Sequence, residues 1–332
     1  MSRKAYHAGS WYTDNGPRLN KELSHWLENV PASTEDDVPI PVPGARAIIA
    51  PHAGYSYSGQ AAAFAYKCID PAFVTRVFIL GPSHHAYLTK CAISKCTEYE
   101  TPLGKLTLDL EVINELRETG QFDEMSLSVD EEEHSIEMHL PYVYKILESK
   151  INSIKVVPIL VGSLSESKES LYGKIFSSYL SDPSNLFIIS SDFCHWGQRF
   201  SYTYYSDEPN TSIYLSRKSN TSLSIPIYKS IENLDREGMS IIETMNHKEF
   251  HSYLSKTKNT ICGRHPIGVL LSTIDALQNS QEKTVAENSE NPNLPFDTTK
   301  PRIRFVHYSQ SSRVTRGDDS SVSYASAFVY LP

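Results

Sequence analysis

This 332-residue chain has little of what marks several protein classes. Charged residues make up 21% of it and apolar residues 40%, a balance that excludes a disordered chain, a coiled coil and a collagen-like fibre. It has no block of Lys or Arg. Its 31 basic and 39 acidic side chains give a formal net charge of −8, which argues against a dedicated nucleic-acid or anionic-membrane binder. No apolar run approaches the ~20 residues that span a bilayer; Ala61 to Tyr66 and Val156 to Val161 are among the longest. Met1 to Trp11 lacks the apolar core of a secretory signal. The chain is therefore expected in the cytosol, where thiols stay reduced. Cys68, Cys91, Cys96, Cys194 and Cys262 are odd in number and irregular in spacing, so no disulfide framework is expected. There is also no Walker loop, no Gly-x-Gly-x-x-Gly after a strand and no Gly-x-Ser-x-Gly elbow.

What is present reads as an α/β chain. The length allows two domains or one large one. Four short, β-branched, nearly all-apolar runs, 47–50, 74–80, 154–161 and 186–189, have the character of strands buried on both faces. A helix is expected over 17–30, with Pro17 in its first turn and Leu19, Leu23, Trp26, Leu27 and Val30 on one stripe. Ser163 and Glu166 resemble a capping box opening a second helix. The segments at about 31–44, 207–226 and 279–301 read as surface loops or insertions rather than linkers, because strand-like sequence resumes at 303–307 and 323–330.

The chemistry lies just after the strands. Ala-Ile-Ile-Ala runs into Pro51-His52, Val-Phe-Ile-Leu into Gly81-Pro82-Ser83-His84-His85, and Leu-Phe-Ile-Ile into Ser190-Ser191-Asp192-Phe193-Cys194-His195. Ligands of open α/β sheets bind beyond the carboxyl ends of the strands, so three histidines there converge if the strands are parallel neighbours. A lone histidine at such a position is more often a satisfied loop residue; three in the same structural position favour a site. His52 and His84 suit a divalent metal, and His195, three residues after Asp192, suits a general acid or base. Cys262 stands before an apolar helix and beside Arg264, where a lowered thiol pKa is expected, and Cys-x-x-His spacing links it to His265. His134 and His139 fall about 140° apart on a helix, so a shared metal is not expected there, although either could reach a cleft. Cys91 and Cys96 have no second pair to complete a structural zinc site. Arg199 and the tyrosines at 202, 204 and 205 could line a peptide groove or rest on the core.

Taken together, His7-Ala-Gly-Ser-Trp-Tyr, Arg46-Ala-Ile-Ile-Ala-Pro-His-Ala-Gly-Tyr, Gly81-Pro-Ser-His-His, Glu133-His-Ser-Ile-Glu-Met-His-Leu-Pro, Ser190-Ser-Asp-Phe-Cys-His-Trp-Gly and Ile261-Cys-Gly-Arg-His-Pro-Ile-Gly resemble the Memo family. The resemblance covers most of the chain, and the insertions suggest a fungal member. It implies a single three-layer α/β/α-type domain over 1–332 with a mixed, largely parallel sheet, similar to class III extradiol dioxygenases. It also implies a metal held by His52, His84 and Cys262, with His195 as the acid/base group and Asp192 beside it. Where those dioxygenases use a carboxylate, this chain has Cys262. A thiolate shifts preference toward copper, with iron also expected and zinc permitted, and argues against catechol cleavage.

The family resemblance further implies signalling partners or phosphotyrosine peptides, a role in cell motility or growth control, and a place in the cytoplasm and nucleus. Three readings follow: a copper- or iron-linked redox protein, a non-catalytic adaptor for (phospho)peptides in the same crevice, and a zinc-dependent hydrolase.

Overall fold

The computed structural model describes residues 1–208, 211–216, 223–281 and 294–332. At its centre, four parallel strands lie side by side in the order Lys155–Val161, Arg76–Pro82, Asn185–Ser190, Ala45–Ala50. Their interior positions are almost all buried, which accounts for apolar runs without alternation. The four strand readings therefore hold to within two residues at each end. Ser320–Tyr330 adds antiparallel to Ala45–Ala50 and pairs in turn with Arg302–Gln310. Shorter strands, including Cys91–Ile93, Gly104–Leu108 and Phe122–Glu124, extend the sheet beyond Lys155–Val161 to make it mixed.

Helices cover both faces. The first expected helix is Gly16–Glu28. Asn15 caps it by accepting from the Arg18 amide at 2.9 Å, and Leu19, Leu23 and Leu27 form its buried stripe. It packs on Tyr55–Lys67, which rests on Ala45–Ala50 and Ser320–Tyr330. Glu166–Ser181 and Arg264–Gln281 pack tightly together and against the central strands; Phe176 meets Phe78 and Phe187 edge-on there. This is the expected three-layer arrangement. The cap of Glu166–Ser181 is Ser165, not Ser163: the Ser165 side chain accepts from the Lys168 amide.

Two loop readings change. Val38 and Val42, inside the Pro-rich 31–44 segment, are fully buried in a small cluster with Cys68, Phe328 and Tyr330, so that loop is anchored rather than merely superficial. Within 207–226, Thr211–Tyr214 pairs antiparallel with Tyr204–Glu208; residues 209–210 and 217–222 lie outside the described set, as do 282–293 of the last insertion. Among the described residues no helix is long and apolar enough to cross a membrane.

Candidate metal centre

Because Arg76–Pro82, Asn185–Ser190 and Ala45–Ala50 are parallel neighbours, the residues that follow them emerge together. His52 leaves the end of one strand and His84 the end of the next but one, with Ser190 and Asp192 between them. Cys262 arrives from the turn before Arg264–Gln281. Its Sγ lies 3.2 Å from His52 Nε2, and one donor atom from each of His52, His84 and Cys262 lies within 4.8 Å of the other two. Gly263 is what admits this turn, since a Cβ there would sit 2.3 Å from that of Ser191.

The hydrogen bonds fix which nitrogen each histidine presents. Ser190 donates its hydroxyl to the Ser135 carbonyl at 2.7 Å. Its oxygen is thus left to accept from His52 Nδ1 at 2.6 Å, so His52 carries its proton on Nδ1 and turns a bare Nε2 toward Cys262. Glu133 does the same for His84, taking the ring Nδ1 at 2.9 Å and the backbone amide at 2.6 Å. Burial first, and the neighbouring histidines after it, push the His52 pKa well below the ordinary value, so the ring is neutral. The Glu133 carboxyl would be raised by its burial, but the bonds from His84 and the nearby His134 hold it down to about 2. Outer partners that fix tautomer and orientation in this way typify metal-ligating histidines.

The centre opens on a cavity of about 660 Å³. His195 lines it with Nδ1 turned away toward the Phe193 and Thr260 carbonyls, at 2.9 and 3.2 Å, which leaves Nε2 free. Trp11 and His134 form the facing wall, their rings 4.3 Å apart. Trp11 is held there because its segment is tied down behind it: Glu137 accepts from the His7 amide, the His7 ring and the Tyr12 hydroxyl, and pairs with Arg3 at 2.7 Å.

A model of the family described as Memo-like protein matches residues 3–328. This chain belongs to the Memo family. It is 50% identical over 325 residues to Protein MEMO1 of Homo sapiens, covering 98% of this chain and 96% of that one. It is 46% identical over 330 residues to Protein memo-1 homolog of Caenorhabditis elegans, covering 99% and 83%. Among solved structures it resembles the uncharacterized protein JW3007 from Escherichia coli K12, with a TM-score of 0.43 and 9% identity, covering 85% of this chain and 99% of that one.

In this Memo-family chain the structure gathers His52, His84, Cys262, Asp192 and His195 in one place, but it redraws several roles. Asp192 does not hydrogen-bond the His195 ring; its Oδ1 accepts from the backbone amides of His52 and Ala53 at 2.8 and 3.3 Å. It therefore shapes the turn carrying His52. The Cys262 thiol is not lowered. Its burial and the Asp192 carboxylate push it well above the ordinary value, outweighing the amide of Asp192 that points at the sulfur.

Arg264, expected beside the thiol, lines a different cavity, and His265 turns to Glu169 instead. Of the two histidines at 134 and 139, His134 reaches the cleft, while His139 is buried against the Tyr66 hydroxyl. Tyr202 and Tyr205 are buried, bonded to the Thr257 and Ile225 carbonyls, so of that stretch only Arg199 and Phe200 face the cavity. Sequence reasoning missed Ser190 and Glu133, the outer partners of the two histidines; each lies inside a quoted motif, but only the fold shows what it grips.

Proposed function

We propose that this Memo-family protein holds a transition metal, copper or iron in first place and zinc as a permitted substitute, through His52 Nε2, His84 and Cys262 Sγ. The observation that carries this reading is the pair of locked tautomers. Both histidines have Nδ1 occupied by Ser190 or Glu133, with donor atoms gathered around a common point beside a thiol. Two imidazoles and a sulfur make a donor set softer than two imidazoles and a carboxylate, which favours copper, especially Cu(I). Bound there, copper or iron would supply one-electron chemistry and a Lewis-acid contact for a small donor.

The surrounding residues define what the chain itself does. His195 Nε2 is placed to take or give a proton at a molecule in the 660 Å³ cavity, which Trp11 and Phe200 also line. The high thiol pKa means that Cys262 must lose its proton as an ion binds, so uptake is coupled to proton release. Metal content of the purified protein, measured by plasma mass spectrometry for wild type, His52→Ala and Cys262→Ala, tests the reading: both variants are expected to lose the metal, and equal content in all three overturns it.

A second reading, a site for phosphorylated peptides in the same cavity, is favoured by Arg199, whose guanidinium lies over the Phe200 ring and which lines the cavity together with Ser311, Ser312, Ser320 and Ser321. Guanidinium pairs bidentately with phosphate. A role in cell signalling, motility or growth control in cytoplasm or nucleus attaches to either reading through the family resemblance. Loss of phosphotyrosine-peptide binding in Arg199→Ala, with metal content unchanged, would favour the adaptor reading, and retained binding would remove its basis. No feature of the cavity singles out the zinc-hydrolase alternative.

A further inference from the structure

The histidine that turned away from Cys262 belongs to a second cluster. Glu169, fully buried on the helix Glu166–Ser181, receives three imidazoles. His247 Nε2 and His251 Nε2 approach its Oε2 at 2.6 and 2.7 Å, and His265 Nδ1 approaches Oε1 at 2.6 Å. His247 and His251 stand four residues apart on His247–Thr257, so their rings share one helix face. The position of Glu169 depends on Gly268, where a Cβ would lie 2.2 Å from Oε2. Two helices thus bring one oxygen and two nitrogens, within 4.8 Å of one another, to one point, and a third, Arg264–Gln281, sets His265 beside them.

We propose that Glu169, His247 and His251 form a second metal site, for a zinc-class divalent ion, separate from the centre at the strand ends. Two histidines and a glutamate are an established zinc donor set that leaves a fourth position open. His265 is the outer partner: by holding Oε1 it leaves Oε2 to the ion. Glu166 stands 3.7 Å from the other nitrogen of His251, close enough for an ion pair but not for a hydrogen bond.

Zinc bonds of about 2.0–2.2 Å need tetrahedral donors about 3.3 Å apart. The present 2.6–2.7 Å contacts thus open by roughly 0.6 Å, within the reach of side-chain rotation at the partly exposed histidines. The cluster faces a cavity of about 680 Å³ that Lys258 and Arg264 also line. A water or an anion can therefore reach the fourth position.

Full-length protein titrated with Co(II), as a spectroscopic stand-in, and with Zn(II) decides the matter. A His52→Ala/Cys262→Ala double variant is expected to bind one equivalent with visible ligand-field bands and no sulfur-to-cobalt charge-transfer band. Adding His251→Asn, or separately His247→Gln, is expected to weaken that equivalent at least about tenfold. These substitutions fall at the partly exposed end of the cluster, and circular dichroism of each variant checks that it folds. The site is overturned if the double variant binds no ion, or if binding survives both histidine substitutions with unchanged affinity. In the second case Glu169 is only a structural hub for three imidazoles.

Discussion

Replacing Glu137 with alanine removes the residue on which the cavity wall hangs. Arg3 and Glu137 are both fully buried and 2.7 Å apart. Breaking such a pair by deleting one partner usually costs about 3–5 kcal/mol, because the other charge stays buried without compensation. Asp130 remains 3.1 Å from Arg3 and compensates part of that charge, so the lower end, about 3 kcal/mol, is expected. An unfolding entropy of about 2.1 cal/mol/K per residue converts this to a fall in Tm of about 4 °C for a chain this long.

Burial alone would raise the Glu137 carboxyl, but the bonds from His7 and the Arg3 charge hold it below its ordinary value of 4.5. A depressed carboxyl stabilises fully above that unfolded-state value and loses its effect as the pH falls through the folded one. The gap between wild type and Glu137→Ala, measured by scanning calorimetry, is therefore expected to be widest near neutrality and to narrow below pH 4.5. A gap under about 1 °C at pH 7, or one that widens on acidification, would refute the ion-pair account.

Three further outcomes are expected. Glu133→Gln should weaken metal binding at the His52–His84–Cys262 centre by roughly 10–100-fold, read by chelator competition, because His84 loses the carboxylate that holds its Nδ1 and amide; unchanged affinity would mean that orientation of His84 is irrelevant. Ile49→Ala and Ile188→Ala, both fully buried and paired with each other's strands, should each cost roughly 2–5 kcal/mol in denaturant unfolding, and a loss below about 1 kcal/mol would contradict their place in the core. Gly268→Ala forces a methyl against the Glu169 carboxylate and should cost about 1–3 kcal/mol; a neutral result would show that the carboxylate can move aside.

The central strands were legible because burial on both faces leaves a continuous, largely β-branched apolar run. His52, His84 and His195 stood out because they recur at one position relative to those runs. What was hidden depends on distance along the chain. Ser190 and His52 are 138 residues apart and His84 and Glu133 are 49 apart, so no local pattern announces that one serves the other. His247 and His251 drew no reading from the sequence, because what joins them is Glu169, 78 residues from the first of them. The strands at Cys91–Ile93 and Phe122–Glu124 are only three residues long, too short for alternation to register. The thiol reading failed for a related reason: Arg264 is a neighbour in sequence, but the helix start turns it into another cavity and leaves Asp192 as the charge that matters.

The 210-residue span between His52 and Cys262 also dictates when this centre can exist. During synthesis the first histidine leaves the ribosome long before the sulfur has been translated, and the two meet only after the parallel strands have closed around them. On the proposed metal reading, ion capture is a finishing step of maturation, open only to the folded protein, and fragments released before the last quarter of the chain is made cannot compete for the ion.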